Sequence, residues 1–171
     1  MTSAGKIALD AMGGDHAPAE IIDGAIQAVE GSEGLSAERI ILVGDSAQIE
    51  QHLDSRGGNP GFTVQHSAES IGMADDPRKA MRSKPDNSIS KGAGLVKAGQ
   101  AVGFVSMGNT GMVVAASTLL IGRLPGIRIP SIAVTVDFTG HPMVLMDMGA
   151  NVEPTAENLL HSGLMGSVLS K

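Results

Sequence analysis

The chain has 171 residues, a formal net charge of −6, no cysteine and three aromatic side chains, all Phe. This composition excludes disulfides, thiolate metal sites and a thiol nucleophile, and it is a poor balance for a nucleic-acid binder. The length suits one domain or a little more, with a core of Ile, Val, Leu, Ala and ten Met. No secretory signal is legible, because Asp10 arrives before an apolar segment can form. The longest apolar run, "MVVAASTLLIG", is far shorter than the ~20 residues that span a bilayer. The chain reads as soluble and cytoplasmic.

Apolar strand runs alternate with helical patterns. "KIALDA" predicts a first strand, and a helix follows over "AEIIDGAIQAVEG", with Pro18 where a first helical turn tolerates it. "RIILVGD" predicts a second strand, "AQIEQHLDSRGG" a short helix and "FTVQHSAE" a third strand. "SIGMADDPRKAMRSKPDN", broken by two prolines, is the least regular segment. A helix over "SISKGAGLVKAGQ", a strand over "AVGFVSMG" and a helix over "MVVAASTLLIGRL" come next. Two further strands fall in "PGIRIPSIAVTVDF" and "GHPMVLMDMGAN", and a last helix in "TAENLLHSGLMGSVLSK". The alternation predicts an α/β fold with a largely parallel sheet, and ligands in such folds gather outside the carboxyl ends of the strands. The chain stops at "GSVLSK" with no closing strand, so it reads like a truncated fold.

The expected strand ends carry the polar and Gly-rich residues. After the first strand come Asp10, Gly13, Gly14, Asp15 and His16. The glycines allow a sharp turn and close approach to a ligand, while Asp15 and His16 are alternatively helix caps. "SMGNTGM" places Gly108, Asn109, Thr110 and Gly111 before an apolar helix, either as an oxyanion or phosphate cradle or as a cap. Ser106 is not in a nucleophile elbow, since Phe104 stands where glycine is needed. "MDMGAN" contributes Asp147 and Asn151, with Thr155 as the expected cap of the last helix. The catalytic candidates are His16, Asn109 and Asp147. "GAGLVK" at 92–97 misses the dinucleotide fingerprint, and no Walker A motif is present. The five His have no metal-ligand spacing, and His52 and His161 read as helix-surface residues. Six of the twelve basic residues, Arg78, Lys79, Arg82, Lys84, Lys91 and Lys97, fall within 78–97, a segment suited to an anionic ligand or acidic partner, or simply to a solvated helix face.

In these segments the sequence resembles the PlsX family, the phosphate acyltransferases of bacterial phospholipid synthesis. The matching pieces are "IALDAMGGDHAP", "ILVGD", "ADDPRKAMRSKPDNSI", "GFVSMGNTGM", "GRLPGIRIPSIA", "MDMGANVEPTAENLL" and "MGSVLSK", in order over essentially the whole chain. The resemblance implies attack of inorganic phosphate on the thioester of acyl-[acyl-carrier-protein], giving acyl phosphate and free carrier protein. It implies a three-layer fold like that of isocitrate and isopropylmalate dehydrogenases, with no nicotinamide cofactor and no metal. It also implies a homodimer associated peripherally with the inner face of the membrane. On this reading Asp10, Gly13, Gly14, Asp15, Gly108, Asn109, Thr110, Gly111 and Asn151 line the phosphate and thioester site. Arg78, Lys79, Arg82 and Lys84 then dock the acidic carrier protein. Met107 and Met112 stand where the family usually has smaller residues, which narrows that pocket edge. Family chains are longer, so residues 1–171 correspond to the amino-terminal half, the carboxy-terminal half being absent. The alternatives are a metal-dependent phosphatase using Asp10, Asp15 and Asp147, and a non-catalytic fragment that binds carrier protein.

Overall fold

The computed structural model describes residues 5–137, 140–148 and 153–171, and it divides into two compact units, one ending at Ile121 and one beginning at Gly122. The first unit is built on a four-stranded parallel sheet in the order β3-β2-β1-β4. Its strands are β1 (Ile7–Asp10), β2 (Ile40–Gly44), β3 (Thr63–His66) and β4 (Gly103–Val105). The continuous apolar run of β2 is buried at every position, as expected for a strand covered on both faces. The helices are α1 (Ala19–Gly31), α2 (Ser46–Ser55), α3 (Pro77–Ser83), α4 (Ser88–Lys97) and α5 (Thr110–Ala116), the last running on into a π-helical turn at Ser117–Ile121.

Alternation along the strands decides which helices cover which face. Ile40 and Leu42 point to the side where Ile22 and Ala25 of α1 pack with Ile49 and Leu53 of α2. Ala8, Ile41 and Val43 point to the other side, against Leu95 and Val96 of α4 and the ring of Phe104. There α3, α4 and α5 share a second cluster around Ile71, Ala80, Ile89, Ala93 and Met112. Helix, sheet and helix thus form three layers, the sequence expectation. Gly92 explains the failed dinucleotide fingerprint: it is a packing glycine of α4, and a Cβ there would overlap the Phe104 ring.

The segment expected to be least regular contains α3. Asp76 caps it by accepting from Lys79 N at 2.9 Å, and Pro77 occupies its first turn, where the missing N–H costs nothing. Asp45, after β2, caps α2 through the amides of Ala47 and Gln48. His52 is a bridging rather than a surface residue: its Nε2 lies 2.8 Å from Asp23 Oδ1, and Arg56 donates to the other carboxylate oxygen, tying α2 to α1.

The second unit corrects the expectation of one continuing sheet. Its strands β5 (Ala133–Asp137) and β6 (Pro142–Met146) pair antiparallel as a separate two-stranded sheet, so Asp147 does not lie at the end of a parallel strand. The last helix, α6 (Ala156–Leu169), packs on β6 and is capped by Thr155, as its sequence suggests. His161 is half-buried here, not surface-exposed, and its Nδ1 is covered without a hydrogen-bond partner among the described residues. No helix among the described residues is long and apolar enough to cross a membrane.

Two measurements check this packing. Gly92→Ala is expected to destabilise the first unit by about 1–3 kcal/mol in urea melts, because the new methyl overpacks Phe104; Phe104→Leu in the same chain should recover part of the loss. Four carboxyls have pKa values held below the ordinary Asp value: Asp23 by hydrogen bonds first from His52 and then from Arg56, Asp45 chiefly by Gln48, Asp75 chiefly by Lys84, and Asp86 chiefly by Lys91. A carboxyl with a depressed folded pKa stabilises fully above its unfolded value, about 3.9, and that contribution is lost as pH falls through the folded value. Stability should therefore decline below about pH 4, less steeply in Lys84→Met and Lys91→Met variants, as followed by melts across an acid series.

Candidate active site

Strand order fixes where a ligand belongs. The chain proceeds from β1 outward to β2 and β3, then crosses to the opposite side of β1 to form β4. The loops leaving β1 and β4 therefore diverge toward different faces, and the crevice between them is the usual binding position in an open parallel sheet. Those two loops are the Gly-rich turns at 10–16 and 106–111.

The turns are joined by a short chain of hydrogen bonds. Asp10 is fully buried at the end of β1, and its Oδ1 accepts from the Met12 amide at 3.0 Å. Its Oδ2 accepts from the Ser106 hydroxyl at 2.7 Å, and Ser106 Oγ accepts in turn from the Gly108 amide at 3.1 Å. Two glycines make this approach possible. A Cβ on Gly13 would lie 2.5 Å from Asp10 Oδ2 and 2.7 Å from Gly108 N, and one on Gly108 would lie 3.2 Å from Gly13 Cα. Gly14 follows with φ +111, a region that disfavours any side chain.

Asn109 is both a cap and a clamp. Its Oδ1 accepts from Met112 N at 3.0 Å, capping α5, while its Nδ2 lies within hydrogen-bonding distance of the carbonyls of Gly72, Met73 and Asp75. Nearly buried and fully engaged, it anchors the 72–75 loop beside the crevice. A salt bridge of 2.7 Å from Lys84 Nζ to Asp75, with a further bond from Lys84 to Ser70 O, holds the same loop. Gly111 completes the packing, since a Cβ there would meet Pro77 at 2.8 Å.

Between the turns and the start of α1 opens a cleft of about 280 Å³, lined by Gly14, Asp15, His16, Glu20, Met73 and Met107 among others. Asp15 and His16 are exposed in it and do not cap α1, whose cap position is Pro18 with no side-chain bond. The lining carries two carboxylates and an imidazole but no Lys or Arg. An anion seated there would rely on main-chain N–H groups rather than on a cationic side chain of this segment. The cleft shares Glu20, Ile21 and Met107 with an apolar groove of about 340 Å³ that continues past Leu9, Ala25 and Val105.

The fold thus brings Asp10, Gly13, Gly14, Asp15, His16, Gly108, Asn109, Thr110 and Gly111 to one edge, but in different roles. Asp10, Gly13, Gly108 and Asn109 are buried supports, while Gly14, Asp15, His16 and the exposed Thr110 face outward. Met107, 64% exposed, lines the cleft, whereas Met112 is a core residue and narrows nothing. Asp147 belongs to the second unit, where it has φ +61 and its amide donates to Ile132 O at 2.7 Å. Asn151 lies outside the described residues. Both oxygens of Asp10 are occupied by protein donors, and among the described residues no group of three or more His, Asp or Glu is placed to hold a metal ion. The three-aspartate phosphatase set therefore finds no geometric support. Of the basic residues, Arg78, Lys79 and Arg82 are exposed on α3 with no ion pair among the described residues, while Lys84 is committed to Asp75. Met73 escapes the sequence reading, and Ser106 enters it only as a nucleophile that is set aside; the only signal for its bridging role is its place at a strand end.

The family model described as "Fatty acid synthesis protein" matches residues 5–171. A phosphate acyltransferase of Halorhodospira halophila is 38% identical over 173 residues, covering 100% of this chain and 50% of the relative. One of Bacillus licheniformis is 42% identical over 164 residues, covering 95% of this chain and 48% of the relative. One of Bacillus subtilis is 40% identical over 167 residues, covering 97% and 49% respectively. The chain spans about half the length of the curated relatives it matches. It belongs to the fatty acid synthesis protein family, the PlsX family that its motifs resemble.

Proposed function

We propose that this chain carries the phosphate-handling wall of an acyl-[acyl-carrier-protein]:phosphate acyltransferase. The observation that carries the reading is the pair of interlocked Gly-rich turns at the strand-order switch, beside a polar cleft that opens into an apolar groove. An acyl thioester has the same division, a polar reacting group joined to an apolar tail. In the reaction a phosphate oxygen attacks the thioester carbonyl carbon, the oxyanion collapses, and the carbon–sulfur bond breaks. Hydrogen phosphate gives up its proton, the carrier thiol leaves with one, and acyl phosphate is the other product. The protein's work is then to hold phosphate and thioester in line and to stabilise the oxyanion with preorganised donors. Gly14, Asp15 and the outward-facing part of the 108–111 turn form this wall on the buried supports Asp10, Gly13 and Asn109, and His16 is the candidate for handling the proton.

The fold is read as the three-layer type of the isocitrate and isopropylmalate dehydrogenases, which the parallel sheet covered on both faces supports. Carrier protein is acidic, and the free cations of α3, beside the loop that carries Met73, supply a complementary surface. Location in the cytoplasm, homodimerisation and peripheral membrane association belong to the same reading, and the exposed Leu160, Leu164 and Val168 of α6 offer apolar surface for such contacts.

Incubation of the full-length polypeptide that carries these residues with acyl-carrier-protein thioester and inorganic phosphate should release carrier thiol together with an equal amount of acyl phosphate, trapped by hydroxylamine. Thiol release without acyl phosphate, or no turnover, would sink the proposal. Replacing Arg78, Lys79 and Arg82 together by Glu should raise the KM for the carrier-protein substrate by about tenfold or more at low salt, with the KM for phosphate unchanged. An unchanged carrier-protein KM removes α3 from the docking surface.

A further inference from the structure

We infer that Ser106 is a positioning residue for the phosphate seat, a role that rests on the phosphate acyltransferase reading above. Its hydroxyl has one donor and its oxygen has lone pairs to accept, and both capacities are used between the two turns. The hydrogen goes to Asp10 Oδ2 at 2.7 Å, and the oxygen receives the Gly108 N–H at 3.1 Å. Asp10 is fully buried, and its other oxygen holds the Met12 amide at 3.0 Å, one residue before Gly13. Ser106 therefore links the backbone of one turn, through a buried carboxylate, to the backbone of the other.

This arrangement settles two features of the cleft. The Gly108 amide is spent on Ser106 and is not a donor to a ligand, so the seat on this side depends on the outward-facing part of the turn beyond it. The spacing between the turns is also narrow, because Gly13 has no room for a Cβ and one on Gly108 would sit tightly, 3.2 Å from Gly13 Cα. Removing the hydroxyl leaves Asp10 Oδ2 and the Gly108 N–H without this partner, and the contact that sets the spacing is released. Loss of alignment by about 1 Å costs a reaction of this kind on the order of 100-fold. Ser106 itself needs no contact with substrate for this effect, and direct attack by phosphate leaves no acylated serine.

The test compares Ser106→Ala and Ser106→Thr with the unsubstituted protein, in the full-length polypeptide that carries these residues. Ser106→Ala should lower kcat/KM for inorganic phosphate roughly 10–100-fold while the KM for acyl-carrier-protein stays the same, and Ser106→Thr, which keeps the hydroxyl, should restore it. Equal kcat/KM values for phosphate in all three proteins, or a raised KM for acyl-carrier-protein with phosphate kinetics unchanged, overturns the positioning role. An unsubstituted protein that makes no acyl phosphate overturns the functional reading instead. Amide exchange then decides the link without any activity. Ser106→Ala should speed exchange at Gly108 and Met12 together, while the Leu42 amide in β2 stays protected; unchanged protection at both turns overturns the link as well.

Discussion

Two backbone turns meet at the carboxyl edge of the parallel sheet, Gly13 against Gly108, and most of the site depends on that contact. Gly13 lies against Asp10 and the Gly108 amide, and Gly108 lies against Gly13. A methyl group on Gly13 would push the loops apart or displace the carboxylate, and one on Gly108 would be tight. The contact is polar as well as close, since Asp10 and Ser106 bind the two backbones together. A buried carboxylate is costly unless its acceptor sites are filled, and here the neighbouring turns fill them.

The loop at 72–75 follows from the same centre. Asn109 faces two ways, capping α5 with its oxygen and holding the loop carbonyls with its nitrogen. The loop is pinned a second time by Lys84, so Met73 enters the cleft wall from a segment far away in sequence. The accessible surface is then left to Gly14, Asp15, His16, Thr110 and Met107. This division suits an electrostatic site, in which donors must be fixed before the charge develops. The lining holds carboxylates rather than cations, so the charge of an anion seated there would have to be balanced by backbone dipoles or by groups beyond this segment. Relatives of about twice the length leave room for such groups.

The order of elements and the strands of the first unit were legible, because a strand–turn–helix repeat has few packings and each apolar run has one sensible period. α3 was not. Its seven residues begin with one proline and end two residues before another in a polar stretch, and only the Asp76–Pro77 pair announces a start. The antiparallel pairing of β5 and β6 was also missed, since apolar runs of that length suit either sheet type.

Sequence alone determined that the chemistry-bearing residues lie at strand ends, and through the joint spacing of its motifs it determined the family. Tertiary structure decided which of those residues are buried supports and which are exposed. Asp10 and Asp15 look alike in "DAMGGDHAP", yet one is sealed beneath the turn and the other is exposed in the cleft. Met107 and Met112 flank the same four residues, yet only the first reaches the pocket. The partners that seal Asp10 include a serine 96 residues away, and burial at that range is set by the packing of β1 against β4. No local pattern in the sequence carries that information.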